Sequence, residues 1–382
     1  MKLKTIESIN QYNSKTVNPL KKPDEWYELY SVPNFEFEVP EILQGKDIAS
    51  SKQVVEEGDI LISKINPRIN RVWIVGNYSE HLKIASSEWI VIRNSEISSK
   101  YLSYYFKTDK FRKLLCSQVT GIGGSLTRAQ PKNVKGYKVP IFSKDYQEKV
   151  ANILDKMNEL IKLRQSQITA LDELTSSIFF NTLKGELTNA RLEDLVLSTQ
   201  NGMSRRGDDA NGEIVLKLKN VKGNTINFKD VNRISLEQKE KENYKLNVED
   251  LLFVRVNGNP NYVGRSAVFR GHSEDVYFND HIIRTVVKNV NVGYLSYLLN
   301  SSLGIAEIQK NIKTSAGQYT ISRDGINKIK LRLPEQTIQD EFINKKFAID
   351  IRKKKLKETL IQMNTLYNSL LQKAFKGDLF QE

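Results

Sequence analysis

The chain has 382 residues, of which 58 are Lys or Arg and 45 are Asp or Glu, and its net charge of +13 favours a polyanionic partner, most often nucleic acid. Its length allows two or three domains, and its 39% hydrophobic residues exclude a disordered chain. The single cysteine, Cys116, excludes an intrachain disulfide and a cysteine-based zinc site, so we expect a cytoplasmic location. We expect neither a signal peptide nor a membrane span, because no apolar run is long enough.

Residues 1–143 are rich in β-branched and aromatic residues, which predicts short strands such as Ile60–Ser63, 72–75 and Trp89–Ile92. An amphipathic stretch over 101–115 predicts one helix in this region. Residues 146–183 then contain neither Gly nor Pro, which predicts a single long helix that ends at the pair Lys184-Gly185.

The second half of the chain repeats this order. Strands are predicted over 214–216, Leu251–Val254 and 281–284, and one helix over 294–308. Residues 338–375 again lack Gly and Pro and predict a second long helix, ending at Lys376-Gly377.

Five landmarks recur in the same order at a nearly constant shift, so the chain is a tandem duplication with a period of about 192 residues. The clearest landmark is Tyr101-Leu102-Ser103-Tyr104, which recurs as Tyr294-Leu295-Ser296-Tyr297. The others are Asp59-Ile60-Leu61 with Asp250-Leu251-Leu252, Gly124 and Thr127 with Gly317 and Thr320, Pro140 with Pro334, and Leu183 to Leu187 with Phe375 to Leu379.

The two long helices carry apolar residues at heptad spacing, which requires a partner helix. We predict a seam formed by Val150, Leu154, Met157, Ile161, Ile168, Leu171, Ile178, Phe342, Ile349, Leu356, Leu360, Met363, Tyr367 and Leu370. Arg164, Lys346 and Lys353 interrupt this seam. Two helices of matched length most simply pack on each other, and each is about 50 Å long at 1.5 Å per residue.

The sequence therefore predicts an α+β protein with an internal pseudo-twofold repeat. Two mixed α/β domains, 1–143 and 187–335, alternate with a central helical region, 144–186, and a C-terminal helical region, 336–382. If the helices form an antiparallel coiled coil, the two domains lie at opposite ends of a rod.

No catalytic constellation is present in the sequence. A nucleotide P-loop is absent, Gly121-Ile122-Gly123-Gly124 reads as a turn, and the histidines lack the spacing of metal ligands. Asn259-Pro260-Asn261-Tyr262 resembles the Asn-Pro-Pro-Tyr loop of adenine methyltransferases, but the first half has Asn66-Pro67-Arg68-Ile69 at the equivalent place, without the aromatic residue. We predict no catalytic residues, no metal and no cofactor.

The repeated polar loops instead carry residue types that bind DNA, since Arg pairs bidentately with guanine and Asn with adenine. The predicted DNA-binding residues of the first half are Lys64, Asn66, Arg68, Asn70, Arg71, Gly123, Gly124, Ser125, Thr127 and Arg128. Those of the second half are Ser204, Arg205, Arg206, Arg255, Asn257, Asn259, Asn261, Tyr262, Arg265, Gly317, Gln318, Tyr319, Thr320 and Arg323. The alternative for any one of these residues is simple solvation of an exposed loop.

Over nearly its whole length the sequence resembles the specificity (S) subunits of type I restriction–modification systems. The resemblance rests on Val139-Pro140 before Gln147-Glu148, on Leu333-Pro334 before Gln339, on the Gly124/Thr127 and Gly317/Thr320 loops, and on the two Lys-Gly helix ends.

This resemblance implies a non-catalytic subunit that recognises a bipartite site in double-stranded DNA, one half per domain, with a spacer set by the helices. It also implies two modification (methyltransferase) subunits and restriction (motor-nuclease) subunits as partners, and no membrane. Two alternatives stay open: a self-contained methyltransferase or restriction enzyme with its own recognition domains, and a structural scaffold with incidental charge.

Overall fold

A computed structural model describes residues 1–117, 119–120, 127–315 and 317–380. By its internal contacts the chain divides into two compact units. Unit 1 combines Met1–Gln167 with Leu356–Glu382, and unit 2 is Ile168–Lys355. Both units mix strands and helices, so the fold is α+β as predicted. None of the helices in the described residues is both long and apolar enough to cross a membrane.

From the N-terminus to the first long helix, the elements are β1 (Lys2–Thr5), α1 (Ile6–Ile9), β2 (Thr16–Val17), β3 (Trp26–Tyr30), β4 (Glu41–Gln44), β5 (Lys52–Val54), β6 (Ile60–Ser63), β7 (Val72–Ile74), β8 (Leu82–Ala85), β9 (Trp89–Ile92), α2 (Ser99–Phe106), α3 (Asp109–Ser117), β10 (Val119–Thr120), β11 (Arg128–Ala129), α4 (Pro131–Lys135), β12 (Lys138–Ile141) and α5 (Lys144–Thr182). Short 3-10 helices span Pro19–Lys21, Pro33–Phe37 and Gly45–Asp47.

The remaining elements are β13 (Thr188–Arg191), α6 (Leu192–Leu195), β14 (Val196–Asn201), β15 (Glu213–Leu216), β16 (Asn232–Ile234), α7 (Gln238–Tyr244), β17 (Leu251–Val254), β18 (Val256–Asn257), β19 (Ser266–Val268), β20 (Val276–Phe278), β21 (Ile282–Val287), α8 (Val292–Asn300), α9 (Ser302–Gln309), β22 (Lys313–Ser315), β23 (Gln318–Thr320), α10 (Arg323–Asn327), β24 (Lys330–Leu333) and α11 (Gln336–Lys376). Short 3-10 helices span Leu218–Asn220 and Pro260–Tyr262.

Each unit is built around a central strand buried on both faces. In unit 1, β6 is central in the antiparallel sheet β7-β6-β9, and in unit 2, β17 lies between β21 and β19 in the sheet β14-β21-β17-β19. Ile60 and Ile62 of β6 face one apolar cluster while Leu61 faces another, and the residues of β17 alternate in the same way. A strand covered on both faces requires a continuous apolar run, which is the pattern that the sequence shows.

The units differ in their additional strands. Unit 1 carries a five-stranded sheet of order β2-β5-β8-β3-β4. Unit 2 carries two three-stranded sheets instead, of order β16-β15-β20 and β18-β23-β22. The duplication therefore preserves the central sheet and permits variation around it.

The prediction of one helix over 101–115 and one over 294–308 was wrong, because each region holds two helices. Thr108 Oγ1 donates to the Tyr105 carbonyl at 2.7 Å and accepts from the Phe111 amide at 3.2 Å, so this hydroxyl ends α2 and begins α3. Ser301 Oγ does the same between α8 and α9, with the Leu298 carbonyl at 2.6 Å and the Gly304 amide at 3.3 Å. A hydroxyl that competes for backbone groups favours a helix boundary.

A buried glutamine fixes the start of each long helix. Gln147 Nε2 donates to the Phe142 carbonyl at 3.0 Å, and its Oε1 accepts from the Ser98 amide at 3.0 Å. Gln339 repeats both bonds, with the Pro334 carbonyl at 2.8 Å and the Asn291 amide at 3.0 Å. Both side chains are 3% exposed, so each junction between domain and helix is held by the same pair of hydrogen bonds.

The long helices α5 and α11 pack together in each unit. In unit 1, Val150 and Leu154 of α5 share an apolar cluster with Leu371 and Ala374 of α11. In unit 2, the rings of Phe179 of α5 and Phe342 of α11 lie 5.5 Å apart. Each residue of the predicted seam is buried or half-buried.

Two of the charged residues that interrupt the seam, Lys346 and Lys353, pair with carboxylates. Lys353 pairs closely with Asp172 of α5, and Lys346 pairs with Asp350 at 2.5 Å on its own helix. The predicted stop at Gly377 is present, since α11 ends at Lys376 and Gly377 has a φ of +92°. The other predicted stop was wrong: α5 ends at Thr182, because the amides of Leu183 and Lys184 form i to i−3 bonds that tighten the last turn before Gly185 is reached.

Candidate nucleic-acid interface

In unit 1 the two repeated polar loops meet. The loop after β6 and the segment 127–129 are joined by backbone hydrogen bonds, from the Asn66 amide to the Thr127 carbonyl at 2.9 Å and from the Ala129 amide to the Lys64 carbonyl at 2.9 Å. The Lys64 amide also donates to the Glu88 carbonyl at 2.9 Å. These bonds bring together residues about 60 positions apart in the sequence.

Unit 2 joins its loops by the equivalent bonds. The Ile321 amide donates to the Arg255 carbonyl at 2.9 Å, and the Arg255 amide donates to the His281 carbonyl at 2.8 Å. Beyond Arg255, β18 pairs with β23, which places Asn257 opposite Tyr319. The same scaffold therefore presents Lys, Arg and Asn side chains in both units.

Several side chains of the unit 1 loops already have partners. Lys64 Nζ donates to the Ser87 carbonyl at 2.5 Å, and burial lowers the pKa of this half-buried lysine. Arg128 pairs with Glu88 at 3.0 Å, and Asn70 Nδ2 donates to the Phe106 carbonyl at 3.0 Å. These three side chains help to hold the loops in place.

Two cations of the same loops are differently placed. Arg68 is exposed and Arg71 is half-buried, and neither forms an ion pair in the ranges that the structure describes. Asn66 lies between them and the strand, with a φ of +47°, a left-handed conformation that asparagine tolerates better than most residues. Among the predicted DNA-binding arginines of unit 1, Arg68 and Arg71 are thus the two without a carboxylate partner in the described ranges.

In unit 2, Arg205 and Arg206 both form ion pairs with carboxylates. Arg205 contacts Glu237 closely and Glu240 at 2.8 Å, and these carboxylates raise the pKa of its guanidinium. Arg206 pairs with Asp280 at 2.9 Å, with Ser204 contributing its carbonyl at 2.9 Å. The positive charge at this predicted cluster is therefore largely balanced within the unit.

The loop after β17 is held together by contacts among its own residues. Arg265 lies over the ring of Tyr262 at 3.9 Å and donates to the Asn261 carbonyl at 3.2 Å. Asn257 and Asn259 accept from backbone amides within this loop, at 2.9 Å and 3.0 Å. Arg265 therefore occupies one face of the Tyr262 ring, and the residue stays 42% exposed.

The remaining predicted residues lie at the second loop of each unit. Gly317 has a φ of +76° and is exposed together with Gln318, while Thr320 is half-buried. Arg323 is exposed, and its guanidinium is 3.4 Å from the Thr199 carbonyl. Gly123, Gly124 and Ser125 lie outside the described residues.

Sequence reasoning missed two asparagines at this surface, Asn201 and Asn327. Both line a polar cavity beside Arg255 and Arg323. Asn201-Gly202 is a turn signal in the sequence, but nothing in the sequence places it beside residue 327. That proximity requires β14 to pair with β21 and α10 to pack near β14.

Among the residues that the structure describes, no group of three or more His, Cys, Asp or Glu could hold a metal ion. The histidines lie apart: His81 stacks near Trp26, His272 stacks on Phe228, and His281 follows Asp280.

Comparison with known proteins gives a consistent result. No family model matches the chain. The specificity subunit of the type I restriction enzyme StySPI from Salmonella potsdam is 27% identical over 307 residues, covering 74% of this chain and 66% of the relative. The specificity subunit of the type I restriction enzyme EcoKI from Escherichia coli K12 is 22% identical over 408 residues, covering 98% and 86%.

Solved structures show the same fold. A chain from a study of complex assembly and conformational transition in the type I R-M system superposes with a TM-score of 0.65 at 16% identity, covering 99% of this chain and 98% of that one. The S subunit of a type I restriction–modification system from M. genitalium superposes with a TM-score of 0.54 at 13% identity, covering 98% and 96%. Sequence relatives and fold agree: over most of its length the chain is similar to type I restriction enzyme specificity subunits.

Proposed function

We propose that this chain is the sequence-specific DNA-binding subunit of a type I restriction–modification complex. The observation that carries the proposal is the meeting of the two repeated loops in both units, through equivalent backbone hydrogen bonds at Lys64 and Arg255. A loop pair held rigidly from its backbone can present Arg and Asn side chains to base edges, and side-chain differences between the pairs allow different sequences to be recognised.

Each recognition domain, 1–143 and 187–335, reads one half of a bipartite target. The helical regions 144–186 and 336–382 form an antiparallel coiled coil that sets the spacer between the halves. Support for this arrangement comes from the packing of the beginning of α5 against the end of α11 in unit 1, and of the end of α5 against the beginning of α11 in unit 2. A helical length of about 50 Å corresponds to about 15 base pairs.

The chain itself is non-catalytic and needs no cofactor in this proposal. Two modification subunits methylate the target and restriction subunits cleave unmodified DNA, with this chain as the part that recognises the sequence. The names of the relatives, which are specificity subunits, support this division of labour. The match to a chain from a type I R-M assembly supports a place in a multi-subunit complex.

The first test is the salt dependence of DNA binding. The full chain is titrated against a pool of random duplexes, and the logarithm of the affinity is plotted against the logarithm of the salt concentration. Each phosphate that the protein neutralises adds about 0.9 to the slope, so we expect a steep line. A nearly flat line would favour a scaffold with incidental charge.

The second test exchanges residues 1–143 for those of a relative and determines the selected sequence again. We expect one half of the target to change and the other to persist, whereas a change in both halves would contradict the assignment of one half to each domain.

The purified chain should transfer no radiolabel from S-adenosylmethionine. Robust transfer would favour the self-contained enzyme.

A further inference from the structure

Each unit contains a large groove at the same place, beside the C-terminal end of a long helix. The groove of unit 1 has a volume of about 820 Å³ and is lined by the end of α11, by the strands β1 and β12, and by the helices α2 and α3. The groove of unit 2, of about 960 Å³, is lined by the end of α5, by β13 and β24, and by α8 and α9. The chain thus contains two grooves built from equivalent elements.

The equivalence extends to individual lining positions. At the shift of 192 residues, Leu183 corresponds to Phe375 at the ends of the two long helices. Lys330 corresponds to Lys138 at the same shift, and each is the first residue of the last strand of its domain. Two grooves that repeat both their elements and their lining positions favour two copies of the same occupant.

Both grooves expose apolar side chains. Leu3 of β1 in unit 1 and Leu303 of α9 in unit 2 are each more than half exposed, and Phe180 near the end of α5 is exposed as well. Exposed apolar side chains that line one concave surface are typical of a site that another molecule covers. The occupant of these grooves therefore carries apolar groups of its own.

The carboxylates that line the grooves already have partners. In unit 1, Asp109 pairs with Arg112 at 2.6 Å. The contacts in unit 2 are those of Glu193 with Arg191 at 3.2 Å, of Glu307 with Lys310 at close range, and of Asp194 with the Arg191 amide at 2.7 Å. The lining acids are thus bound within their own units and do not favour a basic occupant.

The lining cations have no such partners. Lys138 and Lys330, the equivalent pair, form no ion pair within the ranges that the structure describes. The other lining cations without an ion pair in those ranges are Lys107, Lys110, Lys113, Lys376 and Arg332. The occupant therefore brings carboxylates to the lysines as well as apolar groups to the leucines. A nucleic-acid backbone would supply negative charge but would not cover the apolar surface.

We propose that each groove receives an acidic amphipathic segment from one of the two modification subunits. Apolar side chains on one face of the segment fill the groove, and its carboxylates lie against Lys138 in unit 1 or Lys330 in unit 2. The proposal rests on the proposed function, which supplies two copies of one partner for two equivalent grooves. Because the unit 1 groove has more unpaired cations, the first copy binds there.

The test counts the modification subunits that bind to the full chain, by native mass spectrometry with that subunit in excess. The wild type should bind two copies. The variant L3D/K138E presents carboxylates to an acidic segment, so it should lose affinity for one copy by at least about tenfold and retain the other. L303D/K330E should do the same through unit 2 and retain the tighter copy, and all four substitutions together should abolish binding.

Two control variants carry the same kinds of change at exposed positions outside the grooves, L20D/K21E in unit 1 and V248D/K239E in unit 2. Each should still bind two copies, and far-UV circular dichroism confirms that every variant is folded. Lys138→Arg keeps the cation and should bind as the wild type does, whereas Lys138→Gln should weaken the binding of one copy. This pair separates a contact between charges from a structural role of the side chain.

The results that would overturn the proposal are distinct. If both groove variants bind two copies with the affinity of the wild type, the subunits dock elsewhere. If either variant loses both copies, the grooves do not hold one copy each. If L3D/K138E retains the tighter copy, the assignment of the first copy to unit 1 is wrong. If the wild type itself binds no modification subunit, the proposed function fails, which separates that failure from a failure of the grooves alone.

Discussion

In unit 1, Arg68 and Arg71 lie on the first repeated loop without a carboxylate partner among the described residues, whereas in unit 2 Arg205 and Arg206 are each bound to one or two carboxylates. Yet the backbones of both loop pairs are joined in the same way. The comparison teaches that duplication has preserved the hydrogen bonds that position the loops while the side chains have diverged. The two units therefore differ in which of their predicted DNA-binding arginines already have carboxylate partners.

The largest expected effect concerns the independence of the two units. Phe342 is 1% exposed and contacts Phe179, Tyr294 and Tyr297, so Phe342→Ala should lower the free energy of unfolding of unit 2 by about 3–5 kcal/mol. Phe347→Ala on the same helix is the control, because Phe347 is 67% exposed and should cost less than about 0.5 kcal/mol.

The sequence provides a selective probe for this measurement. Trp26, Trp73 and Trp89 all lie in unit 1, and the chain has three tryptophans in total. In denaturant, Phe342→Ala should shift the transition seen by far-UV circular dichroism more than the transition seen by tryptophan fluorescence. Equal shifts of both signals would show that the units unfold as one.

The second effect concerns an Asp–Arg ion pair that both units contain and that is closer in unit 1 than in unit 2. Asp59 is 1% exposed and binds Arg93 Nε and Nη2 at 2.7 Å each, while the equivalent Asp250 is 3.9 Å from Arg284. Asp59→Asn should therefore destabilise unit 1 by about 2 kcal/mol in tryptophan-monitored unfolding. Asp250→Asn is the matched variant and should cost less than about 1 kcal/mol. Equal losses would contradict the difference between the pairs.

The third effect concerns charges on the loops. Arg68→Gln should reduce the slope of DNA affinity against salt by about 1, because it removes an unpaired cation. Arg205→Gln should leave the slope nearly unchanged, since Glu237 and Glu240 already balance that charge. A larger change for Arg205 than for Arg68 would show that DNA displaces those carboxylates.

The smallest effect depends on pH. Burial raises the pKa of Asp250, so the folded state holds this proton more tightly than the unfolded state does. Protonation of Asp250 therefore stabilises the folded state. This stabilisation grows as pH falls towards the ordinary carboxyl pKa of about 4, and it is lost as pH rises. The stability difference between Asp250→Asn and the wild type should shift in favour of the wild type between pH 6 and about 4, as measured by urea unfolding. No pH dependence of this difference would contradict the burial effect.

Much of the fold could be predicted because it follows from local pattern and from repetition. The strands at 60–63 and 251–254 and the two long helices are each encoded by an uninterrupted run of suitable residues. The breaks at Thr108 and Ser301 were missed, since a hydroxyl inside an amphipathic stretch ends a helix only when its geometry allows the competing bonds.

The sequence did not predict which of the site residues already have hydrogen-bond or ion-pair partners. Arg205 and Glu237 are 32 residues apart, and Asn201 and Asn327 are 126 apart, so their proximity is set by strand pairing and loop closure. Residue type indicated which side chains could bind DNA. It could not indicate which of them are already occupied by partners within the same unit.

Gln147 and Gln339 connect the two domains to the long helices in the same way. Each one fastens the first turn of a long helix to two backbone groups of the preceding domain, and it does so without using the identity of any domain side chain. A domain with different side chains can therefore form the same two hydrogen bonds to the start of the helix, because both of its bonding groups belong to the backbone.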